Sequence, residues 1–215
     1  MGAGHGEIIT ETLQPFGRAI SVAVPVAPID AVVYTGDGQH VVPWAADLID
    51  TDRAGTLVVG VHGVDDEDER LHEYSPGFDP GRFAAHERFL VDDVRAWVAD
   101  RFAAPPAART AVYGASAAGE LALALGLRHP DVFGAVLCAS PGAGFRPPEP
   151  MPRDMPPTYL VAGTDEPFFW GNAIRWAVAL GEAKIESLMT EREGGHGDHF
   201  WRDEFPLMLS WAFDR

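Results

Sequence analysis

The stretch YGASAAGELAL, residues 113–123, sets Ser116 among small residues, with Gly114 two positions before it and Gly119 three after it. An apolar strand pattern ends here and a helical pattern begins. A tight, strained strand-to-helix turn of this kind presents a serine hydroxyl as a nucleophile, and the turn tolerates little side chain at its flanks. The N–H of the next residue, Ala117, then lies at a helix N-terminus, where it can donate to a developing oxyanion. A serine hydroxyl is a weak nucleophile at neutral pH unless a base takes its proton. Two later stretches supply candidates. YLVAGTDEPFFWGN, 159–172, puts Asp165 and Glu166 just past a strand pattern, and MTEREGGHGDHFWRDEF, 189–205, puts His196 in a glycine-flanked loop past the next one. Serine, acid and histidine in that chain order, each in a loop after a strand, suit nucleophilic acyl transfer on an α/β scaffold.

The elements that must position these groups are legible in the periodicity. Strands are expected at Ile8–Leu13, Ala19–Val26, Ala31–Tyr34, Thr56–Val61, Thr110–Tyr113, Ala135–Ala139, Thr158–Ala162 and Ile185–Glu191. Several are continuous apolar runs, as parallel strands covered on both faces require. Leu90, Val94, Trp97 and Val98 recur at 3.6-residue spacing in HERFLVDDVRAWVADRF, with Asp92, Asp93 and Arg95 turned away, which predicts a helix. Further helices are expected at about 117–129, at 168–180 with Gly181 as the stop, and at 199–213. Two early strands followed by strand–helix alternation imply a mostly parallel mixed sheet with helices on both faces. The segment 141–157 holds seven of the 18 prolines and reads as a stiff connector between two sheet strands. A flap over a site at the sheet edge is its functional alternative.

Composition narrows the function class. At 215 residues the chain is most simply one domain, 1–215. The formal charge is −16, with 32 acidic residues against 16 basic ones. Such a surface repels nucleic acid and anionic membranes. No apolar run is long enough to span a bilayer, and the first residues lack the basic start and apolar stretch of a secretion signal, so a cytoplasmic location is expected. Gly2 could suggest myristoylation, but Gly6 stands where a serine or threonine is needed. The single cysteine, Cys138, sits in the run GAVLCAS and reads as core. His5, His40, His72 and His86 read as surface residues. HGDH at 196–199 invites a metal reading through His196, Asp198 and His199, but no cysteine or distant histidine motif completes a site. No metal and no cofactor are expected.

Five pieces in order resemble one family. VVYTGDGQ (32–39), DERLHEY (68–74), YGASAAGELAL, GTDEPFFWGN (163–172) and GGHGDHFW with Trp201 are similar to segments of the esterase branch of the α/β-hydrolases. That branch includes enterochelin esterases, esterase D-type enzymes, feruloyl esterases and mycolyl transferases, and the resemblance runs from about Ala31 to Trp211. It implies an α/β-hydrolase fold, and the length of the chain leads to the expectation of no cap domain. It also implies Ser116 as nucleophile, His196 as general base, Glu166 in preference to Asp165 as the acid, and the N–H groups of Gln39 and Ala117 as oxyanion donors. Arg70 and Glu73 are expected to brace the loop through an ion pair. Three features depart from the family pattern. Ala118 replaces a glycine of the elbow, Gly197 replaces an aspartate for which Asp198 could compensate, and the chain is short for the group.

The expected activity is hydrolysis of a small-molecule carboxylic ester through an acyl-enzyme, failing in acid once His196 is protonated. Acyl transfer to an alcohol by the same groups is the first rival, in an open cleft flanked by Phe168, Phe169 and Trp170. A hydrolase-like fold retained only for binding is the second, and it predicts that a fluorophosphonate leaves Ser116 unlabelled. The acyl group, the alcohol and the oligomeric state are open at this stage.

Overall fold

The computed structural model describes residues 7–14, 16–48, 55–102, 104–197 and 199–214. Gly2, His5 and Asp198 lie outside the described residues. Eight strands form one sheet: β1 Glu7–Leu13, β2 Arg18–Val24, β3 Ala31–Thr35, β4 Thr56–Val61, β5 Thr110–Ala115, β6 Ala135–Ala139, β7 Thr158–Gly163 and β8 Ser187–Arg192. Their order is β1-β2-β4-β3-β5-β6-β7-β8. The β1–β2 and β2–β4 pairs are antiparallel, and every later pair is parallel.

The continuous apolar strands are buried on both faces, as anticipated. Alternate residues divide between two cores. Val32, Tyr34, Val112, Val136, Cys138 and Leu160 pack on one face, and Val33, Ala111, Tyr113, Leu137 and Val161 on the other. The first face is covered by α3 Pro80–Arg88, the π-helical turn Phe89–Val94, α4 Arg95–Arg101, α5 Ala117–Arg128 and α6 Pro167–Glu182. The second is covered by α1 Gly38–Leu48 and α7 Phe200–Phe213. Helix α2, Glu67–Tyr74, lies between β4 and α3 in the chain and inserts the buried Tyr74 ring into the first core. Cys138 is buried core, and burial pushes its thiol well above the usual range.

Four local details differ from the sequence reading. Neither α1 nor α2 was expected. Pro43 interrupts the α1 pattern but is exposed, and burial of Val41, Val42 and Ala45 offsets its missing N–H. The helix expected near residue 86 begins at Pro80, capped by Asp79, whose carboxylate accepts from the N–H groups of Gly81 and Arg82 at 3.0 Å. Gly181 does not end α6. The left-handed residue is Lys184, φ 60°, and the closing bonds run from Ile185 N–H to the Leu180 carbonyl and from Lys184 N–H to the Gly181 carbonyl. That is the Schellman pattern with a lysine in the usual glycine place.

The fourth correction is His86, expected at the surface but fully buried, with neither ring nitrogen hydrogen-bonded among the described residues. Its ring packs 5.1 Å from that of Tyr74, and Nδ1 lies 3.7 Å from a Glu73 carboxylate already held by Arg18. Burial is the largest influence and lowers its pKa from 6.5 to about 4. Between these values the unfolded chain binds a proton that the folded one refuses. Ionisation of His86 therefore costs nothing above pH 6.5 and subtracts stability as pH falls toward 4, by on the order of 3 kcal/mol. Urea midpoints at pH 7 and pH 4.5 should lie closer together in His86→Leu than in the wild type. An equal gap in both proteins would refute the assignment.

Candidate active site

Five segments leave the C-terminal ends of parallel strands along one edge of the sheet: Gln39 after β3, Ser116 after β5, Ser140 after β6, Glu166 after β7 and His196 after β8. That edge is where parallel α/β sheets gather ligands, because every crossover leaves its strand there.

Ser116 is a non-glycine residue at φ 58°, ψ −124°, a conformation costing about 1–3 kcal/mol that the surroundings must hold in place. Its N–H donates to the Ala139 carbonyl on β6 at 3.0 Å, and its carbonyl accepts from Gly119 N–H at 2.9 Å. The small flanks have a measurable cause. A Cβ on Gly114 would sit 1.8 Å from the Ala118 carbonyl oxygen, and one on Gly119 would press on the Ala139 carbonyl and Cys138 Sγ at 3.1 Å. Ala118 itself is buried and lines the cleft beside Ser116.

His196 Nε2 lies 2.9 Å from Ser116 Oγ, and His196 Nδ1 lies 2.7 Å from Glu166 Oε2. Both ring nitrogens are thereby engaged, so His196 has none left for the metal reading of residues 196–199. Glu166 is buried whereas Asp165 is exposed. Glu166 Oε1 accepts from Gly163 N–H at 2.6 Å and from Ser140 Oγ–H. The three-residue spacing from Gly163 to Glu166 thus closes a turn that aims the carboxylate. Ser140, φ 47°, also accepts from Trp201 Nε1–H at 2.8 Å. The imidazole is sandwiched by stacking on Phe169, with ring centroids 3.6 Å apart, and by the perpendicular Trp201 ring at 4.9 Å. Gly197 follows at φ +86°, where a glycine is favoured over the expected aspartate.

Gln39 stands in the first turn of α1 and Ala117 in the first turn of α5, where backbone N–H groups have no acceptor within the helix. A Cβ on Gly38 would meet the Gly60 backbone at 2.3 Å, so α1 starts hard against β4. Asp37, at φ 52°, is held there by Arg70, whose Nε and terminal nitrogen donate to its two oxygens at 2.8 and 2.5 Å, and by Tyr74.

The putative esterase family matches residues 31–179. The chain belongs to that family. The esterase also shares its fold with solved structures of low identity. They include a ferulic acid esterase (17% identity, 98% of each chain, TM-score 0.70) and an S-formylglutathione hydrolase from Staphylococcus aureus (12%, 97% of this chain and 98% of the other, 0.70). An enterochelin esterase from Shigella flexneri is a third (19%, 96% of this chain, 0.74), and the esterase spans only 57% of its length. The comparison with curated proteins found no match. The fold is that of the α/β-hydrolases, and the protein is a carboxylic ester hydrolase.

Two cavities meet at Ser116 and His196 in the esterase. One, about 460 Å³, is lined by Gln39, Trp44, Asp65 and Arg70; the other, about 610 Å³, by Phe78, Glu120, Phe168 and Phe169. Gly142 to Gly144, the start of the proline-rich connector, wall the second cavity, so its first residues contribute to the site. Trp170 does not flank the cleft as expected, because its Nε1–H donates to Glu191 at 2.7 Å. Arg70 and Glu73 do not pair with each other either. Arg70 holds Asp37, and Glu73 receives two bonds from Arg18 at 2.7 and 2.8 Å. The sequence reading missed Ser140; its only sequence signal was its place after a strand, beside Pro141.

Gly114→Ala in the esterase should lower stability by about 2 kcal/mol or more, because two backbones must part at the elbow. Gly171→Ala in α6, where a Cβ meets nothing within 4 Å, should leave stability unchanged or raise it by up to about 1 kcal/mol. Equal urea midpoints for the two variants would contradict the close approach at Gly114.

Proposed function

We propose that this esterase cleaves its substrate through an acyl-enzyme on Ser116. The observation that carries the reading is the unbroken string Ser116 Oγ, His196, Glu166, at 2.9 and 2.7 Å, with residue 116 held in a strained conformation of the kind that gathers at functional sites. His196 Nε2 takes the Ser116 proton as the hydroxyl attacks the ester carbonyl. The oxyanion receives the N–H groups of Gln39 and Ala117, donors of a kind that contribute about 10²–10³ each in rate. His196 passes the proton to the leaving alcohol, then draws one from water to release the acid. Glu166 accepts Nδ1–H, which keeps the tautomer with a free Nε2 lone pair and stabilises the imidazolium. Ser140 and Trp201 are positioning residues for Glu166 and the ring.

Acyl transfer to an alcohol remains the second reading, favoured by the two cavities that flank Ser116, since one could hold an acceptor while the other holds the acyl chain. Products formed with added alcohols discriminate between the two. The string of intact contacts weighs against a fold kept only for binding.

Ser116→Ala should lower kcat on a chromogenic ester by about 10³ or more and abolish fluorophosphonate labelling. Glu166→Gln should cost about 10²–10⁴ in kcat while Asp165→Asn changes it by less than about threefold. A larger loss for Asp165→Asn would transfer the acid role to that residue. Failure of the wild type to react with the phosphonate would remove the acyl-enzyme.

A further inference from the structure

The two cavities beside Ser116 have an unbalanced charge. Arg70 is the only lysine or arginine among their described lining residues, and it is already held by Asp37 and by Glu67 at 3.0 Å. Besides these two partners, Asp65 lines the first cavity and Glu120 the second.

Glu120 is the telling member. It lies one helical turn after Ser116 on α5, lines the second cavity and is 1% exposed. Its Oε1 accepts from Gly144 N–H at 3.1 Å. Its Oε2 has no hydrogen-bond partner among the described residues, and neither does the buried Ser75 Oγ. Both atoms crowd the same side of Gly144, where a Cβ would fall 2.8 Å from Oε2 and 2.5 Å from Oγ. Burial raises the Glu120 carboxyl above the usual range, opposed in part by the nearby Ser75 hydroxyl and the Gly144 and Phe145 N–H groups. A buried carboxylate without a cation is costly, and a ligand cation in the adjoining cavity would relieve that cost.

The mouth of the same cavity is aromatic. Phe78 and Phe168 are 52% and 60% exposed, and Phe168 packs edge-to-face on Phe169 at 5.0 Å. Ring faces attract ammonium groups, more strongly where water is displaced.

We propose that the second cavity binds an ammonium group carried by the ester substrate, with Phe78 and Phe168 as its aromatic wall and Glu120 as its countercharge. The proposal rests on the acyl-enzyme reading for the reaction and adds the substrate class. Anionic esters are disfavoured, because no free cation in either cavity's described lining would receive them and the chain's charge of −16 repels their approach.

The test uses two matched sets of esters. In one the acyl chain ends in trimethylammonium, tert-butyl or carboxylate; in the other the alcohol carries those ends. In at least one set kcat/KM should favour the cation over its neutral isostere by about tenfold or more, and over the anion by a larger factor. That ratio should fall several-fold in Glu120→Gln, in Phe168→Leu and at high salt. Phe168 is exposed, so its variant keeps the test decisive should Glu120→Gln not fold. A neutral isostere hydrolysed as well as the cation in both sets would overturn the proposal while leaving the mechanism standing, as would a ratio unaltered in the variants. If no ester is turned over and Ser116 stays unlabelled, the mechanism fails separately. Calorimetry with benzyltrimethylammonium then decides the cavity: binding that Phe168→Leu weakens supports the proposal, and no binding refutes it.

Discussion

The site depends on one short hydrogen-bonded string that crosses four neighbouring strands. His196 comes from the loop after the edge strand β8, yet it must reach Ser116 beyond β5, with β6 and β7 between them. It bridges that width because β6 and β7 each contribute a group beneath it. Ser140 leaves β6, Glu166 leaves β7, and the bonds Trp201 to Ser140, Ser140 to Glu166 and Glu166 to His196 fill the gap. Every donor and acceptor in the string is thereby set by the spacing of adjacent parallel strands, about 4.8 Å apart. A sheet with one of these strands reversed would send its loop to the far edge and leave the string open.

Close backbone approach is the second requirement. Gly114 lets the Ala118 carbonyl into its own side-chain space, and Gly38 does the same against Gly60 at the start of α1. The two helices whose first turns hold Ala117 and Gln39 are thus seated against β5 and β4. Helix N-termini brought so near a strand edge carry backbone N–H groups with no acceptor inside the helix, without any side chain being assigned to the task. The turn around Asp37 is secured from the opposite side by Arg70 and Tyr74 of α2. This is why an element with no part in the string still bears on the geometry of the site.

Buried carboxylates show how differently the fold treats one chemical group. Glu204 is fully enclosed but receives Arg192, Tyr159 and Thr190. Glu166 receives a backbone N–H, a hydroxyl and an imidazole. Glu120 receives the N–H of Gly144, and its Oε2 has no hydrogen-bond partner among the described residues. The first is enclosed together with a guanidinium, the second is held by its neighbours against the imidazole, and the third keeps an oxygen without a partner among the described residues.

All eight strands and the helices after β5, β7 and β8 were legible in the sequence, because hydrophobic periodicity reports burial on one or two faces directly. The placing of Ser116, of the Asp165–Glu166 pair and of His196 in loops after successive strands was legible too, the preference for Glu166 coming from the family resemblance. Helix α1 was hidden by Pro43, and α2 by a run of acidic residues with little apolar signal. The burial of His86, the partners of Arg70 and Glu73, the outward turn of Trp170 and the part played by Ser140 came only from the tertiary structure. Each of these depends on which distant segments become neighbours across the sheet, and local residue spacing carries no information about a contact made between strands far apart in the chain.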